Sequence, residues 1–200
     1  MRTAFDAFEA SMRRVRELHA LHGSIFELLT NAVDLSDILR SEVVMAVSAF
    51  DFFIHELVRL GMLECFSGKR PRTAAFNRWS LPIGAFEDLS DASSAEQRLD
   101  AEIRERHGFL SFQQPEKVAD AIRLISEVKI WEEVSVILGE SVQHAKDSFK
   151  LIIERRNKIA HEADLNPSYP GQLWPIDAAM VEMIFNRIES VARAIFDAVK

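Results

Sequence analysis

Glycine and proline are scarce in this sequence, with seven and six copies among 200 residues. Together they reach about half of the combined share, roughly 12%, that average proteins carry. A chain with so few turn residues has few and long elements, which favours helices over many short strands. Apolar residues make up 48% and charged residues 28%, which excludes intrinsic disorder and a collagen-like chain. We expect one domain that spans residues 1–200.

Paired cysteines, an excess of basic residues and a long apolar run are also missing. Cys65 is the only cysteine, so no intramolecular disulfide forms and a reducing compartment is expected. The formal net charge is −7, so any site for a polyanion must be a local patch. Polar residues interrupt the most hydrophobic stretch, 43–60, which lacks the roughly 20 apolar residues of a membrane span. Since a signal peptide is also lacking, we predict a cytoplasmic protein.

Apolar residues recur at spacings of three and four, the pattern of amphipathic helices. The first predicted helix covers about residues 3–22. The second begins near Asp37 and runs to about Phe66, before Ser67 and Gly68. It is apolar on most sides, so we expect it to be the central helix of the fold.

The rest of the chain predicts further helices and one connector. Extra helices are expected in the middle of the chain, at about 93–107 and from Pro115, after a bend, to Leu138. A helix follows at about 141–162, and a last helix opens with Pro175 near its first turn. Prolines between these two helices exclude helix there and indicate a structured connector. No segment shows strand alternation, so the predicted fold class is all-α, an antiparallel helical bundle.

One segment of the predicted helix 141–162 places polar side chains at an apolar face. At about 100° per residue, Arg156 lies at the centre of an apolar arc. Burying a guanidinium costs several kcal/mol unless it is paired or multiply hydrogen-bonded. Asn157 and His161 lie four residues apart at the border of the arc, and Glu154 is placed on nearly the same line to orient the imidazole. The arc consists of Phe149, Ile152, Ile153, Ile159, Ala160 and Ala163.

The spacing of Arg156 and His161 is not specific by itself. With 17 arginines and six histidines in the chain, such a pair arises readily by chance. Arg14 and His19 form a second one on an ordinary charged helix face. In a purely structural interpretation, Arg156 pairs with an acid of the central helix, Asp51 or Glu56, and His161 stabilises a helix C-terminus.

The residues around this segment resemble a known family. The stretch 155–165, followed by Pro167 and the Leu173-Trp174-Pro175-Ile176 turn, is similar to the HEPN superfamily, and more specifically to its RiboL-PSP-HEPN branch. The run 40–58 resembles the central helix of that branch. The signature of the superfamily is an arginine, a polar residue beside it and a histidine four to six residues later. Here the matching residues are Arg156, Asn157 and His161.

The resemblance implies a helical bundle that dimerises through its motif helices and, in many members, acts as a metal-independent endoribonuclease. Arg156 would hold the scissile phosphate, His161 would act as general acid or base, and Asn157 would orient the imidazole. Because the 2′-hydroxyl of RNA would attack the scissile phosphate, no cofactor is expected, and DNA, which lacks this hydroxyl, would not be cleaved. A prokaryotic defence or toxin setting is also implied, with an antitoxin or another protein as partner.

Helical geometry independently favours a homodimer. On an ideal helix, the side chains of Arg156 and His161 point about 140° apart, so those of a single chain do not easily reach the same phosphate. A two-fold axis would let the Arg of one subunit approach the His of the other. Two alternatives remain: a non-catalytic HEPN module that binds RNA, a nucleotide or a protein, and a purely structural helical dimer.

Other charged and aromatic residues are candidates for RNA contact. Arg155 and Lys158 flank the motif. The stretch from Cys65 to Phe86 has no acidic residue, and basic loops with aromatic side chains suit single-stranded RNA. Its candidate residues are Lys69, Arg70, Arg72, Arg78 and Trp79, with Phe76 as a further stacking surface.

The central helix carries a polar stripe that includes Asp51 and His55. The stripe is either a solvated side, a buried polar contact to the motif helix or a position beside the active site, which makes both residues supporting candidates. The histidines show no paired metal-ligand spacing beyond the weak His19 and His22 pair. No metal site is therefore predicted.

Overall fold

A computed structural model of the protein describes residues 1–29, 33–82, 84 and 92–200. Within these residues the chain forms helices and no strand; Leu165 and Leu173 make an isolated antiparallel bridge. The prediction of an all-α fold is confirmed. The helices are α1 (Arg2–Leu28), α2 (Ser36–Phe66), α3 (Ala74–Asn77), α4 (Ala92–His107), α5 (Pro115–Ile122), α6 (Ile130–Leu138), α7 (Val142–His161) and α8 (Ala178–Val199).

Helix α2 is the centre of the bundle, as its apolar composition predicts. It contacts α1, α4, α5, α7 and α8. The rings of Phe50 and Phe149 lie 4.7 Å apart, and Arg40 meets Asp164 just beyond the end of α7. Helices α2 and α7 therefore run antiparallel, with the C-terminal end of α7 beside the N-terminal end of α2.

Helix α1 runs antiparallel to both α2 and α8. The Phe5 ring packs against Phe53 of α2 at 5.7 Å and against Phe196 of α8 at 4.7 Å. At the other end of α1, His19 lies beside Phe185, with ring centroids 5.5 Å apart. The buried side chains of all the long helices join in one apolar core, which fixes the ends of α2, α7 and α8 relative to each other.

Several helix ends differ from the sequence-based prediction. Helix α1 continues past His22 to Leu28, because Gly23 is exposed and does not interrupt it. Helix α5 ends at Ile122, so the segment from Pro115 to Leu138 is two helices. The prediction that the last helix opens with Pro175 is wrong. Asp177 caps α8 instead, by accepting a 2.7 Å hydrogen bond from the Met180 backbone N–H.

The boundaries of α2 agree closely with the prediction. Gly68 follows the helix with φ +77, a left-handed conformation that L side chains rarely adopt. Among the described residues, no helix is both long and apolar enough to pass through a lipid bilayer.

Candidate functional site

Helix α7 carries the candidate motif on its C-terminal half. Ser141 caps the helix by accepting a hydrogen bond from the His144 backbone N–H at 3.1 Å. Phe149 and Ile153 are buried against the core. The predicted apolar arc emerges from the core beyond them, because Ile159 is half-buried and Ala160 is exposed. Part of the arc is therefore open to a further partner in the single chain.

A buried carboxylate beside the motif binds two arginines. Asp164 is 1% exposed, and its Oδ2 accepts hydrogen bonds from Arg40 Nε at 2.7 Å and from Arg155 Nη2 at 2.8 Å. The Trp174 backbone carbonyl accepts from the same two guanidinium groups, at 3.1 and 3.3 Å. We call Arg40, Arg155 and Asp164 the arginine clamp. It fixes the connector after α7 to the start of α2.

The clamp imposes an unusual backbone on the residues after His161. Ala163 and Asp164 have φ values of 51 and 55, in the left-handed region that non-glycine residues seldom occupy. Burial lowers the pKa of the Arg155 guanidinium from its ordinary value, and the nearby charge of Arg40 acts in the same direction. Asp164 opposes both effects, so this one carboxylate compensates for two closely placed cations.

Arg155 is therefore not the free RNA-binding residue that the sequence predicted. The structural role of Arg40, Asp164 and Trp174 was missed altogether. Arg40 and Asp164 are 124 residues apart, and no periodicity or motif in the sequence connects them. A buried acid in a loop is recognisable only once the elements around it are placed.

The surroundings of Arg156 are different. Its Nη1 donates a 3.0 Å hydrogen bond to Asn157 Oδ1, and its Nε is buried without a hydrogen-bond partner. In the described part of the chain, three other arginines also have a buried Nε without a partner: Arg106, Arg155 and Arg187. Each of these three forms an ion pair with an acidic side chain. Arg156 forms none with any described residue.

The alternative in which Arg156 pairs with Asp51 or Glu56 is therefore wrong for this chain. Asp51 accepts a 2.7 Å hydrogen bond from the Phe112 backbone N–H. Glu56 instead pairs with Arg59, at 2.7 Å. The half-buried Arg156 keeps most of its hydrogen-bonding capacity unused.

His161 is the last residue of α7 and is exposed. Its imidazole makes no hydrogen bond or ion pair with any residue that the structure describes. Glu154, expected to orient it, lies 3.8 Å from Lys150 instead. His161 is seven positions after Glu154, which corresponds to about 10 Å along the helix axis. The structure does not bring the two together within one chain.

Asp51 and His55 make no hydrogen bond or ion pair with the motif residues in the described part of the chain. They lie about 16 Å or more along α2 from Arg40, a member of the arginine clamp, at 1.5 Å per residue. His55 Nε2 is 3.9 Å from Asp51 Oδ2, and its ring lies 4.4 Å from Phe112. Both residues hold the segment after α4 and do not approach Arg156.

The predicted basic loop divides into anchored and exposed residues. Arg70 donates to the Val199 carbonyl at 2.7 Å and pairs with Glu64, and Arg72 donates to the last carbonyls of α2. These contacts hold both arginines within the fold, although Arg72 is exposed, and RNA contact by either one stays a prediction. Lys69 and Arg78 are exposed, as a nucleic-acid contact would require. Phe86 lies outside the described residues.

Trp79 is half-buried rather than open for stacking. Its ring meets His107 edge-on at 6.0 Å, and Arg106 lies over it at 5.6 Å. The loop follows the C-terminal end of α2, whereas the motif lies at the N-terminal end. Because α2 is 31 residues long, about 45 Å of helix separates Lys69, just past its C-terminal end, from its N-terminal end. Trp79 folds back toward the middle of α2, through His107 and Phe112, and does not contact the motif. The loop and the motif form no continuous site within one chain.

Lys158 is the flanking residue that stays beside the motif. Its ammonium lies 4.7 Å above the Trp174 ring, a cation–π contact at the base of the connector. The chance pair Arg14 and His19 is separated in the structure. Arg14 is exposed, whereas His19 Nδ1 lies 2.7 Å from Glu42 Oε2, a carboxylate whose pKa is raised by burial.

Within the described residues, no group of three or more His, Cys, Asp or Glu side chains is arranged to hold a metal ion. Comparison of the chain with protein-family models, with curated proteins and with solved structures found no match.

Proposed function

We propose that the chain is a HEPN-type, metal-independent endoribonuclease that acts as a homodimer. The observation that carries this proposal is the difference between Arg156 and the other described arginines whose Nε is buried without a hydrogen bond, which all have an acidic partner. A half-buried guanidinium without an acidic partner, with its Nε buried and unsatisfied, is unfavourable unless an anion completes it. An RNA phosphate is such an anion, and a guanidinium can bind it through two parallel hydrogen bonds.

The chemistry assigned to each side chain follows from its accessibility. His161 is exposed at the helix end and can exchange a proton with the ribose 2′-hydroxyl or with the leaving 5′-oxygen. Arg156 would stabilise the charge that develops on the phosphate. Asn157 accepts from Arg156 Nη1 and thereby orients the guanidinium. This differs from the role expected from the sequence, in which Asn157 orients the imidazole.

A second chain would complete the site. Arg156 and His161 point about 140° apart on the helix, and no described residue of the same chain orients His161. The exposed Ala160 and Ala163 of the apolar arc, with the half-buried Ile159 beside them, supply a surface for a two-fold contact. In such a dimer the arginine of one chain would face the histidine of the other.

The test is cleavage of total RNA and transfer RNA by the purified protein in excess chelator. Product ends are analysed for 2′,3′-cyclic phosphate. We expect the wild type to cleave, and His161→Ala to lose about 10²- to 10⁴-fold in rate. Arg156→Ala should lose a similar factor, because a donor to the transition state is removed.

The matched control is His144→Ala, an exposed histidine on the same helix, which should cleave as the wild type does. Folding of each variant is checked by circular dichroism and its oligomeric state by light scattering. Equal cleavage by all variants would contradict the proposal, as would a monomer at micromolar concentration with full activity.

A non-catalytic binding module is the second candidate. It is favoured by one observation: among the described residues, no carboxylate forms a hydrogen bond or ion pair with the His161 imidazole, and Glu154 lies near Lys150 instead. It predicts that the wild type binds RNA, a nucleotide or a protein in the same assay without product formation. Under that outcome, Arg156→Ala should weaken binding while His161→Ala has little effect.

A further inference from the structure

The connector after the motif forms a compact hairpin over residues 164–174. The Asn166 N–H donates to the Gln172 carbonyl at 2.8 Å, and the Trp174 N–H donates to the Asp164 carbonyl at 2.9 Å. At the tip, the Tyr169 N–H donates to the Asn166 carbonyl and its own carbonyl accepts from Gln172, both at 3.0 Å. The arginine clamp fixes the base of this hairpin to α2 and α7.

The tip of the hairpin presents the single tyrosine of the sequence to solvent. Tyr169 is 60% exposed, and its side chain makes no hydrogen bond or ring contact with any described residue. Leu165 and Leu173, which face each other across the bridge, are exposed at 50% and 39%. An apolar surface with an aromatic ring is therefore held on a hydrogen-bonded hairpin that begins three residues after His161.

We propose that Tyr169 stacks on a nucleobase of RNA bound at the motif, with Leu165 and Leu173 supporting the neighbouring base. This inference rests on the proposed function. Because the hydrogen bonds of the hairpin already fix its backbone, stacking requires little further ordering of the protein. An aromatic ring accepts any base that is not paired, so the contact would position the substrate without reading its sequence.

Charge near the hairpin favours RNA over a protein as the occupant of this surface. The Lys158 ammonium lies over the Trp174 ring at the base of the hairpin, and Arg156 and His161 lie on the same end of α7. Cations next to aromatic rings are the combination that single-stranded nucleic-acid sites use, the cations for phosphates and the rings for bases.

The experiment measures binding by fluorescence anisotropy, with a short labelled single-stranded RNA that carries 2′-O-methyl groups and cannot be cleaved. We expect Tyr169→Ala to weaken binding by about 5- to 150-fold, and Tyr169→Phe to bind within a factor of about two, since the ring is kept. Phe109→Ala is the matched control, because Phe109 is 92% exposed and lies in the segment after α4. It should bind as the wild type does.

Three outcomes would overturn the inference. Normal RNA binding by Tyr169→Ala, with wild-type cleavage intact, would overturn the stacking role and leave the proposed function standing. A loss of self-association in Tyr169→Ala without a change in RNA affinity would assign the hairpin to a protein contact. A wild type that neither cleaves nor binds RNA would overturn both proposals.

Discussion

Two adjacent arginines on α7 have opposite surroundings. Arg155 donates to a buried carboxylate and to two backbone carbonyls. Arg156 donates to one neutral side chain, Asn157, and has no acidic partner among the described residues. Both are half-buried, so exposure does not distinguish them. What differs is whether the fold itself satisfies the charge.

This difference distinguishes two roles of a half-buried arginine, whose charge is unfavourable away from water unless it is paired. A cation whose hydrogen bonds are completed within the protein holds elements together, and removing its partner destabilises the fold. A cation left incomplete costs stability in the free protein and gains a partner when an anion binds. The arginine clamp is the first kind, and the motif centred on Arg156 is the second.

The largest effect on the clamp should come from Asp164→Ala. This change leaves the Arg155 guanidinium without an acidic partner and Arg40 with only the exposed Asp37, at 3.3 Å, so the free energy of unfolding should fall by about 3–5 kcal/mol. The measurement is urea unfolding followed by circular dichroism. Glu162→Ala, an exposed acid two residues away, is the control and should change stability by less than about 0.5 kcal/mol. A similar loss in both variants would contradict the clamp.

His107 tests whether an unsatisfied buried nitrogen by itself indicates function. It lies far from the motif, is 5% exposed and has an unpartnered Nδ1. Burial lowers its pKa to about 4, against about 6.5 in an unfolded chain. Below pH 6.5 the unfolded chain therefore binds more protons than the folded protein, and stability falls as the pH is lowered to 4, by about 3 kcal/mol in total.

The variant His107→Phe should lose this part of the pH dependence and keep RNA cleavage. Unfolding curves at several pH values between 7 and 4 provide the measurement, compared with wild type and with His161→Ala. At pH 7, His161→Ala should unfold within about 0.5 kcal/mol of the wild type, because the His161 side chain is exposed and makes no hydrogen bond or ion pair with any described residue. An unchanged pH dependence in His107→Phe would show that His107 is not the buried group that titrates.

The smallest effects come from replacing each arginine by lysine, which keeps the charge and removes the planar fork. Arg155→Lys should lower the free energy of unfolding by about 1.5 kcal/mol, because hydrogen bonds to Asp164 and two carbonyls are lost. Arg156→Lys should change it by less than about 0.5 kcal/mol and still reduce cleavage. If Arg156→Lys is the less stable variant, the distinction between the two arginines fails.

The sequence predicted the helices better than their contacts. The limits of α2 followed from a local signal, Gly68 at its end, and the motif position of Arg156 followed from helical periodicity. The sequence did not show that Arg155 has an acidic partner within the fold whereas Arg156 has none among the described residues. Nor did it show that Arg70 and Arg72 are held by hydrogen bonds. Their partners are carbonyls and a carboxylate from distant segments, and the geometry that joins them exists only after the bundle has packed.

The fold brings together only part of the predicted site, and along α7 Glu154 does not reach His161. Arg156 and Asn157 are in contact, whereas Asp51 and His55 serve another segment of the chain. Residues of the same charge cannot be told apart in a sequence, because the sequence does not show which residues lie close together in the folded protein. Only the positions along one helix, where rise and rotation are fixed, could be placed beforehand.

The arginine clamp also affects when the protein can fold. Arg40 cannot pair with Asp164 until Asp164, 124 residues later in the chain, has been synthesised. At about 5–20 residues per second, a ribosome needs about 6–25 s to synthesise those residues. During this time α2 has neither α7 nor α8 to cover it, and long-range contacts of this kind form slowly. The nascent chain therefore leaves the faces of its central helix that contact α7 and α8 uncovered for seconds during synthesis.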